Sequence, residues 1–243
     1  MPQRPIEPRF LPAGDAGIVV EFGDTIDPAI NALVLALDAA LTGEQIAGVI
    51  ETVPTYRSLL IQIDPLVFDI TQFSGHVRAL LHGLDAMTFR SRRWRVPVVY
   101  GGEYGIDLED VAERHGLTPD QVIDRHAAAV YRVYMIGFMP GFTYLGGLDQ
   151  SIATPRRRDP RSMTPAGTIS IGGIQALVAG AAMPSGWHLL GRTPVRTFMT
   201  QRDPAVLFSP GDEIIFVPID ATQWSKLESA AAAGEPVAEV IPR

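Results

Sequence analysis

The most distinctive part of the chain reads Gly137-Phe138-Met139-Pro140-Gly141-Phe142-Thr143-Tyr144-Leu145-Gly146-Gly147. Its glycines permit backbone angles that other residues avoid, and Pro140 fixes one angle more, so a helix cannot form here. An apolar stretch, residues 131–136, precedes this segment, and an arginine-proline segment, residues 155–161, follows it. Two interpretations are open at this point. The loop presents three aromatic rings of defined placement, or a hairpin buries the rings as core and leaves the arginines solvated.

Length and composition limit the class of protein. With 243 residues, 47% of them hydrophobic and 19% charged, the chain has the composition of a folded globular protein and the length of one large or two modest domains. A net charge of -7 argues against a general nucleic-acid binder, because affinity for phosphate backbones needs accumulated Lys and Arg.

Cysteine content and hydropathy bear on the compartment. The absence of cysteine excludes disulfides, a thiolate nucleophile and Cys-ligated zinc, and it fits a reducing compartment. The N-terminus lacks the apolar core of a signal peptide, and no apolar run approaches the ~18 residues that a membrane span needs. We therefore expect a cytoplasmic protein that does not bind membranes.

The first part of the chain predicts a small α+β domain. Its predicted elements are a strand over residues 17–22, a helix capped by Asp27 with Pro28 in its first turn and ending near Gly43, strands over 49–53 and 58–64, and a helix over 69–82. This β-α-β-β-α order is typical of a ferredoxin-like arrangement. We assign residues 1–92 to this domain.

A basic link over residues 90–95 marks the start of a second domain, residues 93–243. Two short helices are predicted over 107–115 and 119–129, the second with Thr118 and Gln121 as a capping box. The remaining apolar stretches are short and lie between Gly, Pro, Ser and Asp turns; they cover 131–136, 168–171, 175–178, 187–190, 196–199, 206–208 and 213–217. Such spacing predicts a closed or nearly closed β-barrel, or a sandwich. A surface helix is predicted over 222–233.

Several common chemistries lack their motifs. The sequence contains no Gly-x-Ser-x-Gly, His-Glu-x-x-His or Gly-x-Gly-x-x-Gly pattern, and the glycines of 137–147 have no lysine near them, as a P-loop requires. What remains is a polar set: His126, Arg156, Arg161, Gln175 and Arg192. Arginines gathered at one mouth of a barrel would bind carboxylate or phosphate oxygens, whereas the alternative is that they bond loop carbonyls.

Several ordered segments together resemble one known family. They are 134–147, Pro155-Arg156-Arg157, Pro160-Arg161, Pro165-Ala166-Gly167-Thr168, Gly186-Trp187, Gly191-Arg192-Thr193-Pro194 and the opening Phe10-Leu11-Pro12-Ala13-Gly14-Asp15. This series resembles the KipI/PxpB family, which is also labelled allophanate hydrolase subunit 1 and recurs in the carboxyltransferase region of urea carboxylase. The resemblance implies an N-terminal α/β domain and a C-terminal cyclophilin-like β-barrel.

The resemblance also implies an activity and partners. Such chains are similar to subunits of ATP-dependent 5-oxoprolinase, which opens 5-oxoproline to glutamate with a KipA/PxpC-type and a PxpA-type subunit. ATP is then expected as a substrate, with or without Mg²⁺, and no tightly bound cofactor or metal site is expected. Two other functions stay open: a regulatory protein that inhibits a sensor histidine kinase, and a subunit of the allophanate or urea carboxylase type.

Site residues are predicted from the polar set and the resemblance together. We predict that the chemistry involves His126, Arg161 and Arg192. We predict that substrate contacts come from Phe138, Pro140, Gly141, Phe142, Tyr144, Arg156, Gln175, Trp187 and Thr193. The chain departs from the family pattern at Ala179-Gly180 and at Pro184-Ser185-Gly186-Trp187, and these changes leave the identity of the substrate open.

Overall fold

The computed structural model describes residues 7–83 and 91–242. The chain forms two compact units, Met1–Phe89 and Arg90–Arg243. Within the described residues, no helix has the length and apolar character needed to cross a membrane.

The first unit is a four-stranded antiparallel sheet with two helices. Its elements are β1 (Arg9–Pro12), β2 (Gly17–Glu21), α1 (Pro28–Glu44), β3 (Val49–Pro54), β4 (Ser58–Ile63) and α2 (Ile70–Gly83). The strand order is β1-β2-β4-β3. The predicted elements are all present, whereas the edge strand β1 was not predicted.

Local signals explain why α1 begins where it does. The Asp27 side chain accepts hydrogen bonds from the backbone N–H groups of Ala29 and Ile30, and Pro28 occupies the first turn, where no N–H is needed. Val34 and Leu37 of α1 then pack with Ile61 of β4 in the core of this unit.

The second unit contains three helices and ten strands among residues 91–242. They are β5 (Arg93–Tyr100), α3 (Leu108–His115), α4 (Pro119–Ala128), β6 (Tyr131–Ile136), β7 (Thr143–Gly146), β8 (Arg161–Thr164), β9 (Thr168–Gly172), β10 (Gln175–Val178), β11 (Met183–Ser185), β12 (His188–Arg192), β13 (Glu213–Pro218), α5 (Trp224–Ala232) and β14 (Glu239–Ile241). The predicted capping box of α4 is confirmed, because Thr118 and Gln121 bond each other's backbone N–H groups.

Seven of these strands close into a barrel. The ring runs β12-β9-β10-β7-β6-β13-β5 and closes where β12 pairs with β5, at Gly191↔Tyr100 and Arg192↔Val99. β13 runs parallel to β5, whereas every other pair in the ring is antiparallel. β14 adds to β5 outside the ring, and β8 and β11 form a separate pair. The predicted closed barrel is therefore confirmed, and its cyclophilin-like label stays a prediction.

Alternation along the strands divides inner from outer side chains. Each ring strand contributes to one buried cluster, represented by Val96, Val133, Leu145, Ile169, Ala176, Leu190 and Phe216. A second, smaller cluster contains Phe142, Leu177, Ala179, Met183 and Trp187. Because Leu177 lies between Ala176 and Val178 of the first cluster, the second cluster covers the outer face of the barrel.

The predicted strands over 196–199 and 206–208 are wrong. This segment has only a single bridge between Phe198 and Val206. Backbone N–H groups of Leu207 and Met199 donate to the carbonyls of Thr197 and Ala205, so the two stretches do meet. The pairing stays short because a turn over residues 200–204 lies between them. The Arg202 guanidinium holds this turn by donating to the carbonyls of Arg196, Thr197, Pro204 and Ala205.

Candidate functional site

Four aromatic rings form one continuous series on the outer face of the barrel. Ring centres lie 5.7 Å apart for Phe138 and Phe142, 4.8 Å for Phe142 and Tyr144, and 6.4 Å for Tyr144 and Trp187. All three pairs meet edge to face, the geometry that aromatic quadrupoles favour. We call these four residues the aromatic platform.

Strand alternation explains how the sequence builds the platform. Phe142 and Tyr144 are two residues apart, so their side chains share one face where β7 begins. Tyr144 lies directly opposite Leu177 of β10, and Leu177 packs with Phe142 and Trp187. Gln175 precedes Leu177 by two residues and lies on the same face. Both interpretations of the rings hold in part, since Phe142 and Trp187 are buried whereas Phe138 is exposed.

Arg156 extends the platform with a cation. Its guanidinium carbon lies 5.0 Å from the centre of the Trp187 ring. Among residues 7–83 and 91–242 this guanidinium has no hydrogen bond or ion pair, so its N–H donors remain available. Burial raises the pKa of Tyr144, and the nearby charge of Arg156 acts in the opposite direction. The structure thus brings together a free guanidinium, an indole face and a neutral phenol.

Arg161 occupies a different environment. Its two terminal nitrogens donate to the two carboxylate oxygens of Asp107 at 2.8 and 2.7 Å. Arg157 donates to the same carboxylate at 3.2 Å, and the backbone N–H of Leu189 at 2.8 Å. Asp107 is buried, and two guanidiniums around one carboxylate leave this cluster with a net positive charge. Both terminal nitrogens of Arg161 are directed at Asp107 rather than at an open surface. A role of Arg161 in chemistry stays a prediction.

Arg192 lies in a third environment. Its Nε and one terminal nitrogen donate to the carbonyl of Ala166 at 3.3 and 3.2 Å, and its guanidinium carbon lies 4.8 Å from the centre of the Trp224 ring. Thr193 beside it is buried and its hydroxyl accepts from the N–H of Val195, so it stabilises the turn. The structure therefore gives Arg161 and Arg192 different partners. It supports the carbonyl-bonding alternative for Arg192.

His126 lies in the barrel core. It is fully buried, its Nδ1 is 2.8 Å from the hydroxyl of Tyr100, and its ring stacks on Phe216 with ring centres 5.0 Å apart. Burial lowers the pKa of His126 to about 3, so the ring is neutral near pH 7. No ring contact among the described residues joins it to the platform. The structure thus does not bring His126 to the surface where the aromatic residues meet.

Two residues that the sequence did not indicate hold the arginine-proline segment in place. We call residues 155–161 the strap. His188 is buried, and its Nε2 donates to the carbonyl of Pro155 at 2.9 Å, because a carbonyl can only accept. Asp107 binds the far end of the strap through Arg161. Arg156 is therefore placed over Trp187 by a segment that is fixed at both ends.

No clear signal in the sequence could have found these partners. Asp107 precedes α3 and looks like a helix cap, yet its side chain makes no cap hydrogen bond. Trp224 lies in a helix whose sequence suggested no chemistry. Within the described parts of the chain, no group of three or more His, Asp or Glu residues is placed to hold a metal ion.

The fold and site together define a protein with a small α/β unit and a β-barrel whose outer face carries aromatic rings and arginines. The chain belongs to the carboxyltransferase domain family, whose subdomains C and D match residues 8–208. The predicted family resemblance is confirmed at this level.

One curated relative matches nearly the whole chain. This protein of Bacillus subtilis (strain 168), which is named as a subunit of 5-oxoprolinase, is 36% identical over 224 residues, which cover 87% of this chain and 92% of that protein. The corresponding 5-oxoprolinase subunit of Haemophilus influenzae is also similar, with 38% identity over 169 residues, which are 70% of this chain and 79% of that protein.

Solved structures show the same fold inside longer chains. TTHA0988 is 33% identical with a TM-score of 0.74, and the match covers 84% of this chain but only 40% of that chain. The urea amidolyase of Kluyveromyces lactis has a TM-score of 0.81 at 19% identity, covering 99% of this chain and 17% of that one. The latter similarity shows the fold alone.

Proposed function

We propose that this chain is a subunit of an ATP-dependent 5-oxoprolinase that opens 5-oxoproline to glutamate. The similarity to two proteins that are named as 5-oxoprolinase subunits supports this proposal. The observation that carries it is the guanidinium of Arg156, which lies over Trp187 near Tyr144 without a carboxylate partner in the described residues. Such a group suits an anionic substrate.

Each part of this surface has a role in the proposed reaction. 5-Oxoproline carries a carboxylate and a cyclic amide, and ATP carries phosphate oxygens. Arg156 binds one of these anionic groups through two parallel N–H donors, a geometry that a guanidinium matches. Tyr144 supplies a neutral hydroxyl that can donate to a carbonyl oxygen.

The proposed reaction needs other subunits. The glycine-rich segment 137–147 lacks the lysine of a P-loop, so we assign most of the contacts to ATP, with or without Mg²⁺, to partner chains. These partners are the KipA/PxpC-type and PxpA-type subunits, working with this chain in the cytoplasm. We therefore expect the isolated chain to be inactive.

An assay with purified subunits tests the proposal. ADP and glutamate release from ATP and 5-oxoproline is measured with all three subunits and with each one omitted. We expect turnover only in the complete mixture. Turnover of both substrates by this chain alone would contradict the proposed need for partners, and no turnover in the complete mixture would contradict the proposed activity.

A pair of variants tests the site itself. Arg156→Lys keeps the charge but loses the paired donors, so we expect kcat/KM to fall by about tenfold or more in the assembled enzyme, as for a lost charge-assisted hydrogen bond. Arg158→Lys is the matched control, because Arg158 is an exposed neighbour in the same strap. Equal kinetics for both variants would remove Arg156 from the site.

A further inference from the structure

The tip of the loop before β7 presents a large apolar side chain to solvent. Phe138 is 71% exposed, and Met139 beside it is 36% exposed. Phe138 is the only aromatic residue among the exposed large hydrophobic residues that the structure describes. A convex, exposed ring cannot enclose a small ligand, because small-molecule sites are concave and cover most of the ligand surface.

The backbone at this ring is strained. Phe138 has a φ of +69°, in the left-handed region that residues with a Cβ avoid. This conformation costs roughly 1–2 kcal/mol, so it persists only where the surroundings impose it. Strain at an exposed residue contributes nothing to folding, and such outliers concentrate at functional positions.

Packing at the base of the loop imposes this conformation. Gly141 has a φ of +70°, and a Cβ there would lie 2.6 Å from Oγ1 of Thr197. A Cβ on Gly180 would lie 2.3 Å from the carbonyl oxygen of Pro140. The N–H of Phe142 also donates to the carbonyl of Met139 at 3.0 Å. The backbone that carries Phe138 is therefore held in one conformation, and its ring contacts that of Phe142 with ring centres 5.7 Å apart.

We propose that Phe138 and Met139 form an anchor that inserts into an apolar pocket of the KipA/PxpC-type partner subunit. This inference rests on the proposed function, which requires such a partner. Rigid, exposed aromatic residues beside a buried aromatic cluster are typical of the residues that dominate binding energy at protein interfaces. Because the loop backbone is already ordered, binding costs little backbone conformational entropy.

Two further observations favour a protein subunit as the occupant. In TTHA0988 the matching region is 40% of the chain, so most of that chain is further polypeptide covalently attached to a region like this one. The strap at the other end of the platform is also basic within a chain of net charge -7, since it holds four arginines and one aspartate. The partner pocket should therefore have an apolar floor and a rim of carboxylates.

Binding measurements with two anchor variants test the inference. The probe is the purified KipA/PxpC-type subunit, titrated into this chain by calorimetry. We expect Phe138→Ala to weaken the dissociation constant by about thirtyfold or more, as truncation of a dominant interface residue does. Raising the ionic strength should weaken binding of the unaltered chain, because the basic strap faces an acidic rim.

Phe138→Gly separates the anchor from a structural role. Glycine adopts a φ of +69° without strain, so this variant should melt at the same temperature as the unaltered chain or higher, and it should still lose the partner. The matched control is an exposed aliphatic residue on another part of the barrel. Ile174 is exposed but lies beside Gly173, which bridges to Thr154 next to the strap, so Val240→Ala serves instead. Val240 is 51% exposed on β14, which pairs with β5 away from β7 and β10, so its loss should change binding by less than about twofold.

The outcomes distinguish this inference from the proposed function. Partner binding by Phe138→Ala equal to that of the unaltered chain would overturn the anchor, and lost turnover in that variant would then place the ring in the reacting site. An unaltered chain that does not bind the partner subunit would also overturn it. Binding that depends on Phe138, in a complex that does not turn over 5-oxoproline, would support the anchor and contradict the proposed activity.

Discussion

Two arginine environments within one short strap differ in what they leave available for binding. At one end, Arg157 and Arg161 direct their N–H groups at the buried carboxylate of Asp107. Next to them, the guanidinium carbon of Arg156 lies 5.0 Å from the centre of the Trp187 ring. A carboxylate accepts hydrogen bonds from the N–H groups of a guanidinium, whereas contact with an indole ring leaves those N–H groups available. The comparison teaches that the group an arginine contacts, rather than the residue type, decides whether its N–H groups stabilise the fold or remain available to bind a ligand.

The largest effect should come from removing the carboxylate of this comparison. Asp107→Ala leaves two guanidiniums without their buried partner, so we expect the free energy of unfolding to fall by about 3–5 kcal/mol. Urea denaturation measures this loss. Asp159→Ala, an exposed change in the same strap, should stay within about 0.5 kcal/mol of the unaltered protein. A similar, small loss for both would mean that the cluster contributes little to folding.

A smaller loss is expected from changing the arginine fork. Arg161→Lys keeps the charge but can meet only one carboxylate oxygen well, so stability should fall by about 1.5–3 kcal/mol. Turnover per folded molecule in the reconstituted enzyme then decides the predicted role of Arg161 in chemistry. Stability equal to that of the unaltered chain would show that the paired geometry with Asp107 is dispensable.

His126 differs from the arginines of the strap because it is a titratable group that is buried without a charged partner in the described part of the chain. Burial lowers the pKa of His126 to about 3 in the folded chain, against about 6.5 in the unfolded chain. Only the unfolded chain therefore gains this proton between these values, and stability falls as pH falls through that window. From pH 7.5 to pH 5.5 the loss should be about 1.4 kcal/mol.

Urea denaturation at the two pH values checks the prediction for His126. His126→Phe keeps a ring against Phe216 and removes the titrating group, so its stability should depend less on pH. Some dependence should remain, because burial also lowers the pKa of His188. An identical pH dependence in the variant and the unaltered chain would contradict the assignment to His126.

The smallest effect on stability is expected at Arg156. An exposed guanidinium over an indole contributes less than about 1 kcal/mol, and Arg156→Lys keeps a cation there. Thermal melting of this variant should therefore nearly match that of the unaltered chain, although its catalytic effect is expected to be large. A loss as large as that of Arg161→Lys would remove the contrast between the two environments.

The parts of the fold that local sequence determines were predictable. The helix starts at Asp27 and Thr118 were visible because capping involves residues two or three apart. The spacing of short apolar stretches predicted a barrel or a sandwich, and the structure shows the closed barrel. β7 was missed because glycines surround it and made residues 137–147 look like a loop throughout.

The sequence predicted which residues belong to the candidate site but not the environment of each. Phe142, Tyr144, Trp187 and Arg156 were all selected, and the structure brings them together. The different burial of these side chains was not visible in the sequence. The pairing of Arg161 with Asp107 was not visible either, because these partners are 54 residues apart. A single sequence, read without an alignment, does not indicate which of several arginines meets a buried carboxylate. The burial of His126 was also not visible, because its contacts Tyr100 and Phe216 are distant in the sequence.

The parallel pairing of β5 with β13 bears on how this protein is made. Arg93 and Glu213, which bond across these strands, are 120 residues apart. A ribosome adds roughly 5–20 residues per second, so the edges of β5 wait on the order of ten seconds for their partners. Unpaired strand edges invite association with other chains. We therefore expect the nascent barrel to need protection from association until its C-terminal strands emerge, and expression at lowered temperature should favour its recovery.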